Sequence, residues 1–461
     1  MTDQNLIFDE ELIRRYNQSG PRYTSYPTAV QFTDQFTADD YRQQVEISNR
    51  ADNPLSLYFH IPFCDTVCFY CGCNKIATKD RSKAKPYLDH VHREIEMQSA
   101  LFNGNKKVTQ LHWGGGTPTF ISHDEMAALM AKTRQHFDFA SDSEGEYSIE
   151  IDPREVGEDT ISFLREQGFN RMSLGVQDFE LSVQKAVNRI QSEEQTNAVV
   201  EAARKSGFHS ISFDLIYGLP HQTTETFART LEKVTALSPD RVSVFNYAHL
   251  PEIFKPQRRI NIEDVPKPEE KLAILKLAID VLTQSGYVYI GMDHFAKPGD
   301  ELAIAQREGT LYRNFQGYST HADCDLIGFG VSSIGMVADA YIQSYKTLDE
   351  YYPAIEQDEL PIYRGLVLTA EDKLRREIIT QLICHFHLLK TDIESKYNIV
   401  FDETFSVEMQ RLQELEADGL VSLSDNTIQV TLAGKLLIRN ICMVFDAYLS
   451  AESTQRYSRV I

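Results

Sequence analysis

The stretch FHIPFCDTVCFYCGCN, residues 59–74, places Cys64, Cys68, Cys71 and Cys73 within ten positions of a chain that has seven cysteines in all. Thiols clustered this way in a chain expected to stay in reducing cytosol bind metal or take part in redox chemistry rather than form disulfides. A structural zinc site splits its ligands into two pairs roughly a dozen residues apart, so that two segments enclose a tetrahedron. Here all four cysteines sit on one short loop. The C-x-C pair Cys71 and Cys73 is expected to diverge, which leaves Cys64, Cys68 and Cys71, spaced C-x-x-x-C-x-x-C, to face one side. Three thiolates on a four-iron cluster leave one iron open to a chelating small molecule, whereas an electron-transfer cluster takes four cysteines. Phe69 and Tyr70, between the second and third of these cysteines, read as a shield for the cluster or a platform for a planar cofactor, with plain loop packing as the alternative. Cys324, Cys384 and Cys442 stand alone and read as small buried apolar residues.

What must hold that loop is a repeating pattern between residues 51 and 250. Six β-rich runs, LSLYFHI (55–61), QLHWGGG (110–116), EYSIEID (146–152), RMSLGVQ (171–177), ISFDLIYG (211–218) and RVSVFNYA (241–248), are each followed by helical periodicity, at 83–101, 123–137, 157–168, 193–206, 224–236 and 269–285. Parallel strands require such crossovers. The cysteine loop, GGGTP, Asp152 with Pro153, Gln177, YGLP and Ala248 all fall at or just past the carboxyl ends of these runs. In a barrel those ends converge on one face, whereas an open doubly wound sheet confines binding to one crevice. The expected fold is therefore α/β: a partial (β/α)6 TIM-like barrel over residues 46–300, an N-terminal arm over 1–45, and a mainly helical, winged-helix-like C-terminal domain over 301–461.

Composition excludes other classes. With 67 acidic against 46 basic side chains the formal charge is −21, a field that repels a phosphate backbone unless basic residues concentrate locally. No such concentration is read from the sequence, and no nucleic-acid role is expected. No run reaches the roughly 18 apolar residues of a membrane span; LIGFGVSSIGMVA (326–338) is too short and too rich in glycine. The start MTDQNLIFDEELIRRYNQSG lacks the basic and apolar regions of a secretory leader, so a cytoplasmic location is expected. Two prolines bracket two tyrosines in GPRYTSYPT, which reads as stiff and extended. From residue 371, EDKLRREIITQLICHF and FSVEMQRLQELEADGL read as helices, VSLSDNTIQVT as a hairpin turning at Ser424 to Asn426, and 433 to about 448 as a last helix. In so acidic a chain this winged-helix order suits a packing module or lid rather than a reader of DNA.

The cysteine loop is similar to the radical S-adenosylmethionine signature, and the chain resembles the oxygen-independent coproporphyrinogen III oxidase family of haem biosynthesis. The likeness runs through PRYTSYPT, HIPFC, CNKI, HWGGGTPT, EIDPRE, GVQDF, DLIYGLP, VFNYAHLP, GMDHFA, RNICM and SRVI, essentially the whole sequence. A related group of haem chaperones shares the barrel and the three-cysteine loop but typically lacks the PRYTSYPT arm and the fourth cysteine, and carries a His-Asn then Tyr-Trp haem-binding motif. Where that motif would fall, this chain reads LYRNFQGYST (311–320), without the histidine or tryptophan. A radical-SAM-like haem chaperone is thus the alternative reading.

The resemblance implies an enzyme in which Cys64, Cys68 and Cys71 bind one [4Fe-4S] cluster, whose fourth iron holds the amino and carboxylate groups of S-adenosylmethionine. One electron from the reduced cluster splits that molecule into methionine and a 5′-deoxyadenosyl radical. The radical takes hydrogen from the β-carbon of a propionate of coproporphyrinogen III, and loss of carbon dioxide and one electron leaves a vinyl group; done twice, this yields protoporphyrinogen IX. The resemblance also implies two S-adenosylmethionine sites, the first at Tyr58, Gly115, Glu150 and Ile334, the second at Tyr70, Gly116, Thr117, Gln177, Arg189, Asp214 and Ala248. Glycine permits close backbone approach to a carboxylate and Glu150 suits a ribose; the structural alternatives are a tight turn at GGGTP, an interior carboxylate paired with a base, and a buried cap at Asp214. The candidate catalytic residues are Tyr58, which enters the cluster loop, Cys73, which supports that loop or assists near the substrate, and Arg22, which with Arg313 would meet the substrate's propionates. Expected partners are coproporphyrinogen III and a low-potential electron donor such as a flavodoxin or ferredoxin, with the chain acting as a monomer.

Overall fold

The computed structural model describes residues 6–449; the motif SRVI at 458–461 lies outside the described residues. The six β-rich runs become β1 (Leu55–Ile61), β2 (Lys107–Gly115), β3 (Glu146–Ile151), β4 (Arg171–Gln177), β5 (Ser210–Tyr217) and β6 (Arg241–Asn246). Strands adjacent in the sequence are adjacent in the sheet, and every pair is parallel. Between them run α1 (Ala84–Ser99), α2 (His123–His136), α3 (Glu158–Glu166), α4 (Glu193–Ser206) and α5 (Thr224–Leu237). Helices α2, α4 and α5 open with reciprocal capping boxes, Ser122 with Glu125, Ser192 with Gln195 and Thr223 with Thr226, which satisfy N–H groups that a first turn leaves without partners.

Strand side chains alternate between the faces of the sheet. Leu57, Phe59, Leu111, Trp113, Ile149, Leu174, Phe213, Leu215, Val242 and Val244 form the core on one face. The alternate positions Tyr58, His112, Ser148, Glu150, Ser173, Gly175, Gln177, Ser212 and Asp214 are polar or small with few exceptions, and only partly buried. A parallel sheet packed on both faces is apolar on both; this one keeps its second face for something other than core.

The sequence pattern predicts a change to a helical domain after residue 300. The structure instead returns to the sheet: β7 (Asp325–Phe329) pairs in parallel with β1, and β8 (Ile334–Val337), β9 (Ala340–Ser344) and β10 (Ile362–Val367) extend the sheet as an antiparallel run. Glycines in this stretch allow close packing, since a Cβ on Gly335 would stand 2.7 Å from the Leu326 carbonyl oxygen. Strand pairing thus gathers Phe32–Pro266 and Asp323–Val367 into one compact unit, and the described parts of Met1–Gln31, Lys267–Ala322 and Leu368–Ile461 form the other. The units are assembled from separate stretches of chain rather than divided at residues 45 and 300.

In the second unit the helices Ala370–His385 and Ser406–Ala417 precede the hairpin of Val421–Leu423 with Thr427–Val430, which His387–Leu389 completes as a three-stranded antiparallel sheet. This is the winged-helix-like order. The last helix is shorter than the pattern predicts: a 3-10 turn at Gly434–Leu437, then Ile438–Met443. It stops where Phe445 is buried against Phe401 and Phe405 and Asp446 accepts the Tyr23 hydroxyl at 3.0 Å. The PRYTSYPT segment bends rather than running extended, with Tyr23 at φ +46, because both tyrosines are buried: the Tyr26 oxygen accepts the Ala447 N–H at 3.0 Å, and Arg439 Nε donates to the Pro21 carbonyl at 2.8 Å. Among the described residues no helix is long and apolar enough to cross a membrane.

Inside the first unit Glu94 is buried beneath the turn that follows β7, accepting from the Tyr351 hydroxyl at 2.6 Å, the Gly330 N–H at 2.8 Å and Gln98 Nε2 at 2.9 Å. Burial outweighs these donors and pushes its carboxyl from 4.5 to about 7. The folded chain therefore keeps a proton that the unfolded chain releases, so stability falls as pH rises from about 4.5 to 7, by on the order of 3 kcal/mol. Thermal unfolding across that window should show this slope in the wild type, and Glu94→Gln should remove it.

Candidate active site

The site begins where β1 runs into the cysteine loop. The Gly116 N–H donates to the Ile61 carbonyl and the Thr117 N–H to the Phe63 carbonyl, each at 2.8 Å, pinning the start of the loop to the end of β2. A Cβ on Gly116 would stand 2.7 Å from backbone atoms of Pro62 and Phe63, and one on Gly115, at φ +113, 2.6 Å from the His60 ring. Only glycine permits that approach and that backbone conformation. The Thr117 hydroxyl donates to Cys64 Sγ at 3.5 Å, and His60 Nε2 meets the Asn74 carbonyl at 2.9 Å.

A cavity of about 240 Å3 opens over this junction. Cys64, Cys68, Cys71 and Cys73 line it together with Tyr70, the Gly115, Gly116 and Thr117 turn, Glu150, Gln177, Arg189 and Asp214. The other expected positions do not line it. The Tyr58 ring stacks on His112, with centroids 5.8 Å apart, and its hydroxyl lies 3.1 Å from His60 Nδ1. The Ala248 carbonyl accepts from Gln257 Nε2 at 3.2 Å, and Ile334 opens β8 opposite Gln343. In the other unit Arg22 forms an ion pair with Asp293, and the Arg313 guanidinium lies 4.7 Å from the Tyr318 ring centroid.

Cys71 and Cys73, expected to diverge, both line the cavity, because residues two apart on extended chain share a face. The Cys73 N–H points at Cys71 Sγ, 3.4 Å away. The Cys73 thiol, as a hydrogen-bond donor, does most to lower the Cys71 thiol to about 5 against the effect of burial, and the Lys75 charge assists. Burial pushes Cys64 up to about 11.

Sequence reasoning passes over the strongest electrostatic feature of the site. Asp152 Oδ2 accepts Arg154 Nη2 at 2.6 Å and Arg189 Nη1 at 2.9 Å. Both guanidiniums also reach Cys68 Sγ, at 3.8 and 3.6 Å. Burial disfavours the Asp152 charge, but Arg189 and Arg154 outweigh it and hold the carboxyl below its ordinary range. Asp152 is recognisable in EIDPRE as a strand-end residue; Arg154 carries no such mark, and nothing in the sequence pairs either residue with Arg189.

The carboxylates on neighbouring strands differ. Burial would raise Glu150, yet hydrogen bonding and charge from His112, 3.4 Å away, and the Gly115 N–H at 3.1 Å hold it below its ordinary range. With 44% of its side chain exposed it still faces the cavity. Burial pushes Asp214 up to about 6; the Ser173 hydroxyl at 2.8 Å opposes this and the Glu150 charge adds to it. One carboxylate is therefore a fixed acceptor, and the other changes its proton near neutrality.

Among the described residues no three His, Cys, Asp or Glu side chains are placed to hold a single metal ion. Thiols spread along a cavity wall suit a polynuclear cluster that takes one thiolate per iron. Arg189 Nε is buried without a hydrogen-bond partner, a costly condition that a ligand acceptor would relieve. The donor set fits an iron-sulfur cluster with a small polar ligand beside it.

Residues 58–234 match the family model of the radical SAM superfamily, and residues 368–437 match that of the HemN C-terminal domain. The oxygen-independent coproporphyrinogen III oxidase of Pseudomonas aeruginosa is 53% identical over 454 residues, 98% of this chain and 99% of that one. The chain belongs to the oxygen-independent coproporphyrinogen III oxidase family. The relative from Escherichia coli strain K12 is 51% identical over 462 residues, with both chains fully covered. The solved structure of coproporphyrinogen III oxidase (HemN) from Escherichia coli, described as a radical SAM enzyme, superposes with a TM-score of 0.92 at 50% identity, covering 97% of this chain and 100% of that one. In this family the superfamily match implies a [4Fe-4S] cluster and S-adenosylmethionine, the groups for which the cavity has suitable donors.

Asp152→Asn would leave the two guanidiniums beside Cys68 without their anchor. Retention of the reconstituted cluster should weaken by roughly 10- to 100-fold, measured as iron and sulfide per chain in a chelator challenge, with the far-UV circular dichroism unchanged.

Proposed function

We propose that the chain catalyses oxidative decarboxylation of two propionate side chains of coproporphyrinogen III to vinyl groups, giving protoporphyrinogen IX in haem biosynthesis. The observation that carries this reading is the meeting of the cysteine thiols, the glycine turn and the polar strand ends around one cavity, in a chain that matches coproporphyrinogen III oxidases over its full length. Cys64, Cys68 and Cys71 are assigned as the three protein ligands of the cluster, leaving one iron for S-adenosylmethionine. When bound, these groups supply a 5′-deoxyadenosyl radical, which reaches an unactivated carbon that side-chain bases do not.

The chain's own residues bind and orient. Glu150, ionised and fixed by His112 and the Gly115 N–H, accepts ribose hydroxyls of the first S-adenosylmethionine, while Tyr58, Gly115 and Ile334 shape its site. Arg189, with a spare donor at Nε, receives the carboxylate of a second, beside Tyr70, Gly116, Thr117, Gln177, Asp214 and Ala248. Cys73, whose N–H points at Cys71 Sγ, supports the loop. Arg22 serves a substrate propionate by exchanging Asp293 for it. A flavodoxin- or ferredoxin-type donor, a cytoplasmic location and a monomeric state complete the reading.

Anaerobic reconstitution tests it. With dithionite, S-adenosylmethionine and coproporphyrinogen III the wild type should form 5′-deoxyadenosine and protoporphyrinogen IX, Cys68→Ser should form neither, and equilibrium dialysis should count two S-adenosylmethionine molecules per chain. Stoichiometric haem binding without turnover would overturn the assignment.

A further inference from the structure

Two short segments grip the cysteine loop. On one side the Val187 carbonyl accepts the Phe69 N–H at 2.9 Å and Asn188 Nδ2 donates to the Val67 carbonyl at 2.8 Å. On the other, Gln257 Nε2 donates to the Tyr70 carbonyl at 2.9 Å, the Phe254 ring lies 3.0 Å from where a Gly72 Cβ would stand, and the Arg259 guanidinium sits 5.2 Å from the Phe69 ring centroid. The outward faces of the same segments carry a different chemistry. Leu181, Ile190 and Ile253 are 49%, 59% and 66% exposed, and Lys185, Lys255, Arg258 and Arg259 are exposed among them.

Neither 181–190 nor 253–260 contains an acidic residue, although the chain as a whole carries −21; Glu180 and Glu252 flank them, and Glu180 is paired with Arg229. Among the described residues none of the four exposed cations forms an ion pair with a carboxylate. Exposed aliphatic side chains set among unpaired cations make a surface that recognises an acidic protein. The Phe69 ring beneath is covered by Arg259 and Tyr70 lines the cavity, so the outer face presents neither as a stacking platform, which disfavours a single-stranded nucleic acid.

We infer that this outer face of the cysteine loop is the docking surface for a small acidic one-electron carrier protein. The inference rests on the function proposed above, which needs an electron delivered close to the cluster thiols. The carrier loses one electron and the cluster gains it, with no bond made or broken and no proton moved.

The test uses the reconstituted full chain and the double variant Lys255→Glu/Arg258→Glu, which keeps Arg259 on Phe69 and alters no cavity residue. Calorimetric titration with an acidic flavodoxin at low salt should show affinity at least about 10-fold weaker for the variant, and wild-type affinity should fall as salt rises. Flavodoxin-driven cluster reduction should slow in the variant, while dithionite-driven reduction, which needs no docking, stays at the wild-type rate. Equal flavodoxin affinity in the two proteins overturns the inference; so does an equal loss with dithionite, which marks a structural role, or tighter binding of a single-stranded oligonucleotide than of flavodoxin. A wild type inactive with dithionite would sink the proposed function instead, and the calorimetric comparison would still judge the docking surface.

Discussion

Parallel pairing in register from β6 through β1 to β7 is the constraint on which the rest of the structure depends. Pairing of this kind brings the carboxyl ends of neighbouring strands together at one edge, and the period of two sends alternate side chains to one face. Because Tyr58, His112 and Ser148 occupy matching register positions, as do Glu150 with Ser173 and Gly175 with Asp214, polar groups dispersed along the sequence come to share a wall. A slip of one residue in any strand would send its polar set into the core and its Leu, Ile, Phe or Val set into the cavity. The apolar face therefore enforces the register that the chemical face needs.

Close backbone approach converts that wall into a site. The N–H groups of Gly116 and Thr117 hold the start of the cysteine loop against the end of β2, at a distance that a side chain at Gly116 would forbid. Asp152 then does for charge what the glycines do for shape. A guanidinium pair next to a buried sulfur would be costly in isolation, and the shared carboxylate offsets their mutual repulsion while leaving N–H groups aimed at Cys68. The cation pair is thus part of the loop's mounting, and Cys73 does similar work for Cys71 by hydrogen bonding.

The six strands and the helices between them were legible because alternation and helical spacing are local signals, as are the capping pairs at Ser122, Ser192 and Thr223. The cysteine loop, the glycine turn and the strand-end polar residues were legible for the same reason: each is a short motif at the end of a periodic run. β7 was not, because its Gly-rich stretch has little alternation of its own and becomes a strand by pairing with β1 far upstream. The bend at Tyr23 and the early end of the last helix were hidden likewise, since burial of Tyr23, Tyr26 and Phe445 against distant partners decides both. The basic run of Lys255, Arg258 and Arg259 is compact in the sequence, but its seat on the cysteine loop was hidden, because it depends on Gln257 meeting Tyr70 and Arg259 meeting Phe69.

What the sequence determined by itself was the kind of unit, its repetition, and the residues whose chemistry is carried by type and spacing: clustered thiols, close-packing glycines, carboxylates at strand ends. Only the tertiary structure decided that Arg154 and Arg189 converge on Asp152 and Cys68, that Glu150 stays ionised while Asp214 titrates near neutrality, and that Tyr58 stacks on His112. The physical reason is range. Propensity and periodicity act over a turn or a strand, whereas hydrogen bonds, ion pairs and burial depend on distances in space that no local pattern encodes.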